Sequence, residues 1–314
     1  MVENVTNPDE REKATKTPDG FDDQAEFLQW TKAEYKASVE YDRDNREEAR
    51  IDHQFVAGEQ WDQAVYRRRI NANKPALTIN RLLAFVSQVI GARLQNVTEI
   101  KIRPSNGGTK DIARVREGMV RAIQRAAIAK RAYKIAYQNQ VIGGLGNFQV
   151  RTEYASNDVF EQDIVIDGVY DDQAVIWDRQ LTDPTGADAR YVFVAESIDR
   201  DTFNDRYPDK NPVNFNTDDL DYTGQGVQQA EPEDTVRIVD FWRVRSRRRT
   251  LALMQDGGVQ DVTDLEIEDW IEKAYIGQDA QPYVRESDVK YVEMFKLSGA
   301  DVLEGPYELS LIHI

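Results

Sequence analysis

The residues of this chain that could do chemistry are adjacent carboxylates, a histidine and a glycine-rich segment. The carboxylate pairs include Glu47-Glu48, Asp171-Asp172 and Asp218-Asp219. A metal-dependent nuclease or a glycosidase needs such groups gathered in one cleft, and pairs scattered through an acidic chain do not define one. His53, near the end of a predicted helix, is interpreted as a hydrogen-bonded structural residue. We therefore assign no catalytic residue and no metal ligand.

The glycine-rich segment, Gly143, Gly144 and Gly146, superficially resembles a phosphate-binding loop. In that motif the loop follows a strand and opens a helix, whose N-terminus holds the phosphate. Here the order is reversed, because a helical pattern precedes the glycines and the alternation of Phe148 and Val150 follows them. We interpret the segment as a tight helix-to-strand turn and expect no bound cofactor.

Residues 109–140 predict one long amphipathic helix that leads into these glycines. Apolar residues recur at steps of three or four, which places them on one face: Ile112, Val115, Met119, Ile123, Ala126, Tyr133, Tyr137 and Val141. The opposite face is basic: Lys110, Arg114, Arg116, Arg121, Arg125, Lys130, Arg131 and Lys134. Only Asp111 and Glu117 oppose these eight, a local charge of +6 in a chain of net charge −16. Such a helix requires a partner.

Three interpretations of the basic face remain open. It pairs with acidic parts of the same chain or of a neighbouring subunit, it faces DNA, or it is exposed to solvent. The candidate subunit or DNA contacts are Arg114, Arg121, Arg125, Lys130, Arg131 and Lys134. Pairing is favoured because the surplus of acids elsewhere must be offset if many copies assemble.

Composition excludes several classes of function for these 314 residues. Cysteine is absent, so disulfides and thiolate metal sites are excluded, and with two histidines, zinc or triad chemistry based on histidine is disfavoured. The strong acidity argues against general binding of nucleic acid, although a DNA conduit that does not grip its duplex can be acidic. The most apolar window, Leu82 to Leu94, is shorter than the ~20 residues that a bilayer needs, so we expect no membrane partner.

Local patterns predict helices in the first half of the chain and strands in the second. Expected helices cover 22–54, ended by Gly58, then 81–95, capped by Asn80, and a segment from Ser197 to about Tyr207. Short strands are expected at 76–79 and 100–104, with a basic loop at Arg67 to Arg69. Further strands are expected at 147–154, 164–166, 174–177, 191–195, 236–244 and 289–296. A hairpin is expected around Asp256-Gly257-Gly258 and a short helix at 264–275. The fold class is α+β, with long helices and a mixed or antiparallel β region.

Short motifs follow one another in a characteristic order: Asp52-x-x-Phe55-x-x-Gly58-x-Gln60-Trp61, Leu77-Thr78-Ile79-Asn80, Ile102-x-Pro104, Val141-x-Gly143-x-x-Gly146-x-x-x-Val150-x-Thr152-x-Tyr154, Val175-Ile176-Trp177-Asp178, Asp183-Pro184, Asp188-Ala189-x-Tyr191-x-Phe193 and Phe203-x-x-x-Tyr207-Pro208. Looser matches follow at Val239-x-x-Trp242 and Gly299-x-x-Val302-Leu303-Glu304-Gly305-Pro306. In order and spacing this chain resembles the portal proteins of short-tailed bacteriophages, the podovirus type. One departure is Arg179 after Asp178, where that family usually has proline.

The resemblance implies a homododecameric ring at one capsid vertex of the virion, assembled in the host cytoplasm. Its partners would be further copies of itself, terminase, scaffold and capsid proteins, and tail or adaptor proteins, with double-stranded DNA passing through its channel. Portal proteins hydrolyse nothing, so the resemblance implies no enzyme. The alternatives are a head–tail adaptor or other structural ring protein and, from a different class, a metal-dependent nucleic-acid enzyme.

The predicted organisation has five parts. Residues 1–20 are a disordered tail, 21–208 a portal wing-like α+β body, and 209–235 an acidic linker or insertion. Residues 236–308 form a β-rich second part leading toward the clip. Residues 309–314, LSLIHI, resemble a translated sequencing adapter, and since portal proteins are considerably longer, we expect a C-terminally truncated reading frame.

Overall fold

The computed structural model describes residues 20–21, 23–96, 99–104, 109–156, 158–215, 234–277 and 281–310. Within these ranges the chain forms eight α-helices, two 3-10 turns and eight β-strands, which confirms the predicted α+β class. The predicted disordered tail falls outside the described residues up to position 19, as do 216–233 of the predicted linker and 311–314 of the predicted adapter sequence.

Contacts divide the chain into two compact units. Among the described residues, Val39–Val175 forms the unit that we call the helical unit, and those up to Ser38 together with 176–215 and 234–310 form the sheet unit. This division does not coincide with the boundary expected at 209–235. Strands on the two sides of that segment, Tyr191–Asp199 and Thr235–Leu253, pair in register in one sheet.

The helical unit holds five helices and one hairpin. The helices are α2 (Arg43–Ala57), α3 (Gln63–Asn71), α4 (Leu82–Gln95), α5 (Lys110–Ala126) and α6 (Ala129–Gly143), while α1 (Gln24–Tyr41) belongs mainly to the sheet unit. Strands β1 (Phe148–Tyr154) and β2 (Gln162–Gly168) pair antiparallel.

Helix α6 is the centre of the helical unit. Near its C-terminal end Tyr137, Val141 and Ile142 pack against buried Val56 of α2 and against the inner face of α4. At its N-terminal end, buried Ala129 and Ala132 contact Ile166 of β2. Small residues at these positions let the hairpin approach the helix closely.

The predicted single helix over 109–140 is wrong, because the chain breaks between α5 and α6. Ile128 adopts a left-handed backbone with φ of 49°, an uncommon conformation for a β-branched residue. The helix expected over 22–54 is likewise two helices, interrupted at Asp42. Neither break has a glycine or proline to mark it.

Among the other expectations for the first half of the chain, some are wrong and some are confirmed. Arg67–Arg69 lie on α3 rather than in a loop, and the segments 76–79 and 100–104 form no strand. The predicted helix ends are confirmed. Gly58 follows α2 with φ of 103°, and the Asn80 side chain accepts a hydrogen bond from the Leu83 N–H at the start of α4.

The glycine turn after α6 has the predicted geometry. Gly144 ends the helix in the left-handed region, with φ of 83°, and β1 begins four residues later at Phe148. A Cβ atom on Gly146 would lie 1.7 Å from the Ala136 carbonyl oxygen. The turn therefore requires glycine because backbone lies against backbone.

The sheet unit contains the larger sheet, with strand order β3-β4-β5-β7-β8. Its strands are β3 (Val175–Trp177), β4 (Tyr191–Asp199), β5 (Thr235–Leu253), β7 (Val284–Leu297) and β8 (Val302–Ser310), and β6 (Val259–Asp261) pairs with the end of β5. Helix α7 (Arg200–Arg206) follows β4, and α8 (Ile267–Trp270) lies between β6 and β7.

Aromatic side chains form the core between α1 and this sheet. Phe27 of α1 lies 4.9 Å from Phe295, and Phe193 lies 4.8 Å from Phe241, as measured between ring centroids. All four rings are fully buried. A second core forms around Phe203 of α7, which packs with Ile198, Val236, Ile238 and Leu303.

Three expectations for the second half of the chain are corrected. Ser197 does not cap a helix, since β4 continues to Asp199 and α7 begins at Arg200. The strand expected over 236–244 runs on as β5 to Leu253. The helix expected over 264–275 is limited to α8 and a 3-10 turn at Ile271–Lys273. The hairpin at Gly257 is confirmed, with φ of 83° and a 2.8 Å bond from the Met254 N–H to the Gly258 carbonyl.

The loop between β3 and β4 is held by the carboxylate of Asp178. Arg190 donates two hydrogen bonds to it, of 2.6 and 2.9 Å, and the backbone N–H of Gln180 donates a third of 3.0 Å. Burial alone would raise the pKa of Asp178, but these donors outweigh it and hold the pKa below its ordinary value. Arg179, the departure from the portal pattern, therefore stands beside an anchored carboxylate.

Candidate functional site

Helix α5 carries two exposed stripes along its length. Thr109 caps it, its hydroxyl accepting a 3.3 Å bond from the Ile112 N–H. With each residue advancing ~100° around the axis, four of the five basic side chains fall within ~60° of arc: Lys110, Arg114, Arg121 and Arg125. The fifth, Arg116, lies apart, beside the apolar stripe. The apolar stripe lies roughly on the opposite side: Ile112, Val115 and Met119, exposed by 51%, 63% and 58%.

Only a narrow edge of α5 is buried within its own chain. Ala113, 6% exposed, is the buried residue of this helix. A helix with so strong a separation of apolar and basic residues ordinarily buries its apolar face. Here the described residues leave that face in solvent.

The structure separates the six candidate basic residues into two groups. Arg114, Arg121 and Arg125 lie on α5, and Lys130, Arg131 and Lys134 lie on α6, beyond the break at Ile128. All six are exposed.

Two of the six have partners within the chain. Arg121 contacts Glu117 at 2.6 Å and Glu99 at 3.3 Å, so intrachain pairing holds at this position. Arg131 donates a hydrogen bond to the Tyr170 hydroxyl and stands 5.8 Å from the centre of its ring. For Arg114, Arg125, Lys130 and Lys134, no ion pair is formed with any residue in the described ranges.

A recess of about 480 Å³ lies beside the break between α5 and α6. Its walls combine apolar side chains of the break and of α6 with β2, and include Ile128, Ala132 and Ile166. Arg131 and Tyr170 line the same recess.

A further apolar surface of the helical unit was missed by sequence reasoning. Leu77 and Ile79, before α4, are 75% and 67% exposed, and Phe85 of α4 is 63% exposed. The sequence of α4 contained a signal for this exposure, because the helix is apolar on nearly all sides and its own chain covers only one side.

His53 lies in a polar contact between α2 and the 3-10 turn at Asp172–Ala174. Its Nε2 is 3.1 Å from the Asp172 carboxylate, which confirms the predicted hydrogen-bonded histidine. This hydrogen bond raises the pKa of the His53 imidazole, against the lowering effect of its partial burial. Burial likewise raises the pKa of neighbouring Asp171. Sequence reasoning did not identify the partner because 119 positions separate the pair.

Carboxylates and histidines are not grouped elsewhere for metal chemistry in the described part of the chain. There, no three such side chains come together as possible ligands of one ion. Among the same residues, no helix combines the length and hydropathy needed to cross a bilayer.

Comparison with known protein families gives a match over most of the chain. The family model described as phage P22-like portal protein matches residues 32–313. The matched range includes nearly all of both compact units and the whole of α5 and α6.

Proposed function

This chain belongs to the phage P22-like portal protein family, and we propose that it is the ring-forming subunit of a head-to-tail connector at one capsid vertex. In this proposal copies of the chain close a dodecameric ring. Double-stranded DNA passes through the ring during packaging and ejection. The family is structural rather than enzymatic, and we propose no catalytic role for the carboxylates.

The observation that carries the proposal is the exposed face of α5. Val115 and Met119 are more than half exposed, although the helix has the pattern of a buried amphipathic element. A neighbouring subunit would cover this face in a closed ring, where each protomer offers one surface to the next. Burying such side chains stabilises an assembly by ~25 cal/mol for each Å² of apolar surface removed from water.

The proposed partners follow from this position in the particle. Scaffold and capsid proteins surround the ring, terminase docks to it during packaging, and tail or adaptor proteins replace terminase afterwards. The ring is assembled in the host cytoplasm and resides in the virion. The net charge of −16 suits a conduit, because acidic walls repel phosphates and keep a duplex from adhering. The assignments of 21–208 to a wing-like body and of 236–308 to a part leading toward the clip stay predictions.

Loss of the apolar face of α5 tests the proposal. We expect the double variant Val115→Asp/Met119→Asp to change the free energy of unfolding of the isolated subunit by less than ~1 kcal/mol, since both side chains are exposed. We expect it to abolish rings, because it places charges in the proposed interface. Native mass spectrometry of the full-length protein measures the amounts of ring and of isolated subunit, and urea titration measures the free energy of unfolding.

The matched control is Val65→Asp/Tyr66→Asp on α3, where both side chains are also exposed, by 43% and 41%. This variant should form rings as the unsubstituted protein does. Rings that persist in the Val115→Asp/Met119→Asp protein would contradict the role of α5.

The two alternative functions predict different results. A head–tail adaptor would assemble only on an existing portal, and a nucleic-acid enzyme would cleave DNA in the presence of Mg²⁺.

A further inference from the structure

Between β5 and β7 the sheet unit contains a small structure that we call the acidic tip, residues 255–276. It contains the turn at Gly257, strand β6, helix α8 and the 3-10 turn that follows. An isolated bridge joins Met254, just before the tip, to Ala274. The core of the tip is shared with the end of β5 and is formed by Ala252, Met254, Val262, Trp270 and Ala274. Because these side chains are turned inward, the remaining ones are available to face outward.

The outward side chains of the acidic tip carry a concentrated negative charge. Seven acidic residues stand there against one basic residue, Lys273, a local charge of −6. Asp261 contacts Arg249 at 3.3 Å. The other acids of the segment 264–272 are exposed and form no ion pair with any described residue: Asp264, Glu266, Glu268, Asp269 and Glu272. Their mutual repulsion favours the approach of a cationic surface.

Large apolar side chains are exposed among these carboxylates. Val259 and Ile267 are 65% and 64% exposed, and Tyr275 and Ile276 are 50% and 51% exposed. A surface that contacts only water does not require exposed apolar side chains, whereas a docking surface combines apolar contacts with a charged rim. The acidic tip therefore has the composition of a contact surface whose partner is basic and partly apolar.

The same chain carries a basic surface. The basic stripe of α5, which we call the basic helix surface, presents Arg114 and Arg125, which form no ion pair in the described ranges. The exposed apolar side chains Val115 and Met119 lie on roughly the opposite side of the same helix. Subunits that close a ring by head-to-tail contacts need two different and complementary surfaces on each protomer. The chain supplies one of each sign.

From this complementarity we infer that the acidic tip of one subunit docks on the basic helix surface of a second copy. The inference rests on the proposed ring and names the two surfaces that meet in it. The opposite charges fix which surfaces pair and in which direction the ring closes. The occupant of each surface is thus the other surface of the neighbouring protomer.

Charge exchange between the two surfaces tests this inference. The variant Glu268→Lys/Asp269→Lys makes the tip basic, and Arg114→Glu/Arg125→Glu makes the helix acidic. Each alone should lower the fraction of protein in rings by at least roughly tenfold, because like charges then meet. The quadruple variant that carries both exchanges should form rings again, since its charges are reversed but complementary. Native mass spectrometry and size-exclusion chromatography with light scattering measure that fraction.

A control of equal charge is Asp205→Lys/Asp209→Lys, which reverses two exposed acids near α7 and should leave ring formation unchanged. Circular dichroism melting checks that each variant folds, and Glu268→Gln/Asp269→Asn replaces the tip variant if the lysines disturb it. Rings in both single-surface variants would overturn the inference while leaving the proposed function intact. Loss of rings in both, without recovery in the quadruple variant, would also overturn it. Absence of rings from the unsubstituted protein would refute the proposed function and this inference together.

Discussion

At the scale of single residues, His53 has a structural role. Its imidazole contacts the carboxylate of Asp172 and so joins α2 to the turn that carries Asp172. The absence of a side chain at Gly143 leaves room for this contact. A Cβ atom on Gly143 would lie 2.9 Å from both the His53 Nε2 and the Asp172 carboxylate. The histidine, the carboxylate and the end of α6 are therefore packed as one group, in which a charged imidazole is favoured by its carboxylate neighbour.

Stability should depend on pH through this pair. A histidine whose folded-state pKa is raised stabilises the fold fully below its ordinary value of about 6.5, and this stabilisation is lost as the pH rises through the folded-state pKa. The melting temperature of the unsubstituted protein should therefore exceed that of Asp172→Asn most at about pH 6, and the difference should narrow by about pH 8. His53→Gln should show the same narrowing. A difference that grows with pH would contradict the assigned pair.

At the scale of elements, the helix-to-strand turn is the feature that local sequence predicted best. The glycines combine a left-handed position at Gly144 with a backbone contact at Gly146, and both requirements act within a few residues. The break at Ile128 is the opposite case. Alanines surround it and favour helix, so the fit of α6 against β2 and α4 decides the break, which local propensity cannot show.

Substituting Gly146 should be among the most damaging single changes in the helical unit. Gly146→Ala places a Cβ atom 1.7 Å from the Ala136 carbonyl oxygen, so backbone must shift. We expect a loss of more than ~2 kcal/mol in the free energy of unfolding. The control is Gly118→Ala in α5, where the new Cβ meets no atom within 4 Å. It should stabilise the protein by roughly 0.5–1 kcal/mol. Urea titration measures both, and equal effects would contradict the turn geometry.

At the scale of the whole molecule, much of the architecture depends on contacts between distant residues. The strand predicted over 236–244 runs on as β5 through Arg247, Arg248 and Arg249 to Leu253. They continue the strand since β7 pairs with β5 as far as its end, from Val239–Leu297 to Ala252–Val284. The sheet likewise pairs β4 with β5 across the segment predicted to be a boundary. Local composition identified the polar segment, but it contains no information on which residues of β4 and β5 pair with each other.

The candidate contact residues were identified from charge alone, and the structure changes their relative weight. Arg121 is paired within the chain, while Arg125 forms no ion pair with a described residue and is the better probe of a partner. The apolar stripe of α5 was read correctly as one face. The exposure of this stripe could not be predicted from the sequence. A helix covered by its own chain and a helix covered by a neighbouring subunit have the same amphipathic pattern.

The central claim is that copies of this chain close a ring. Cryo-electron microscopy of the protein expressed from its complete gene tests this claim most directly. We expect closed rings with a central opening, in which α5 of each subunit is covered by the next. Monomers alone, or open filaments without a closed ring, would contradict the account.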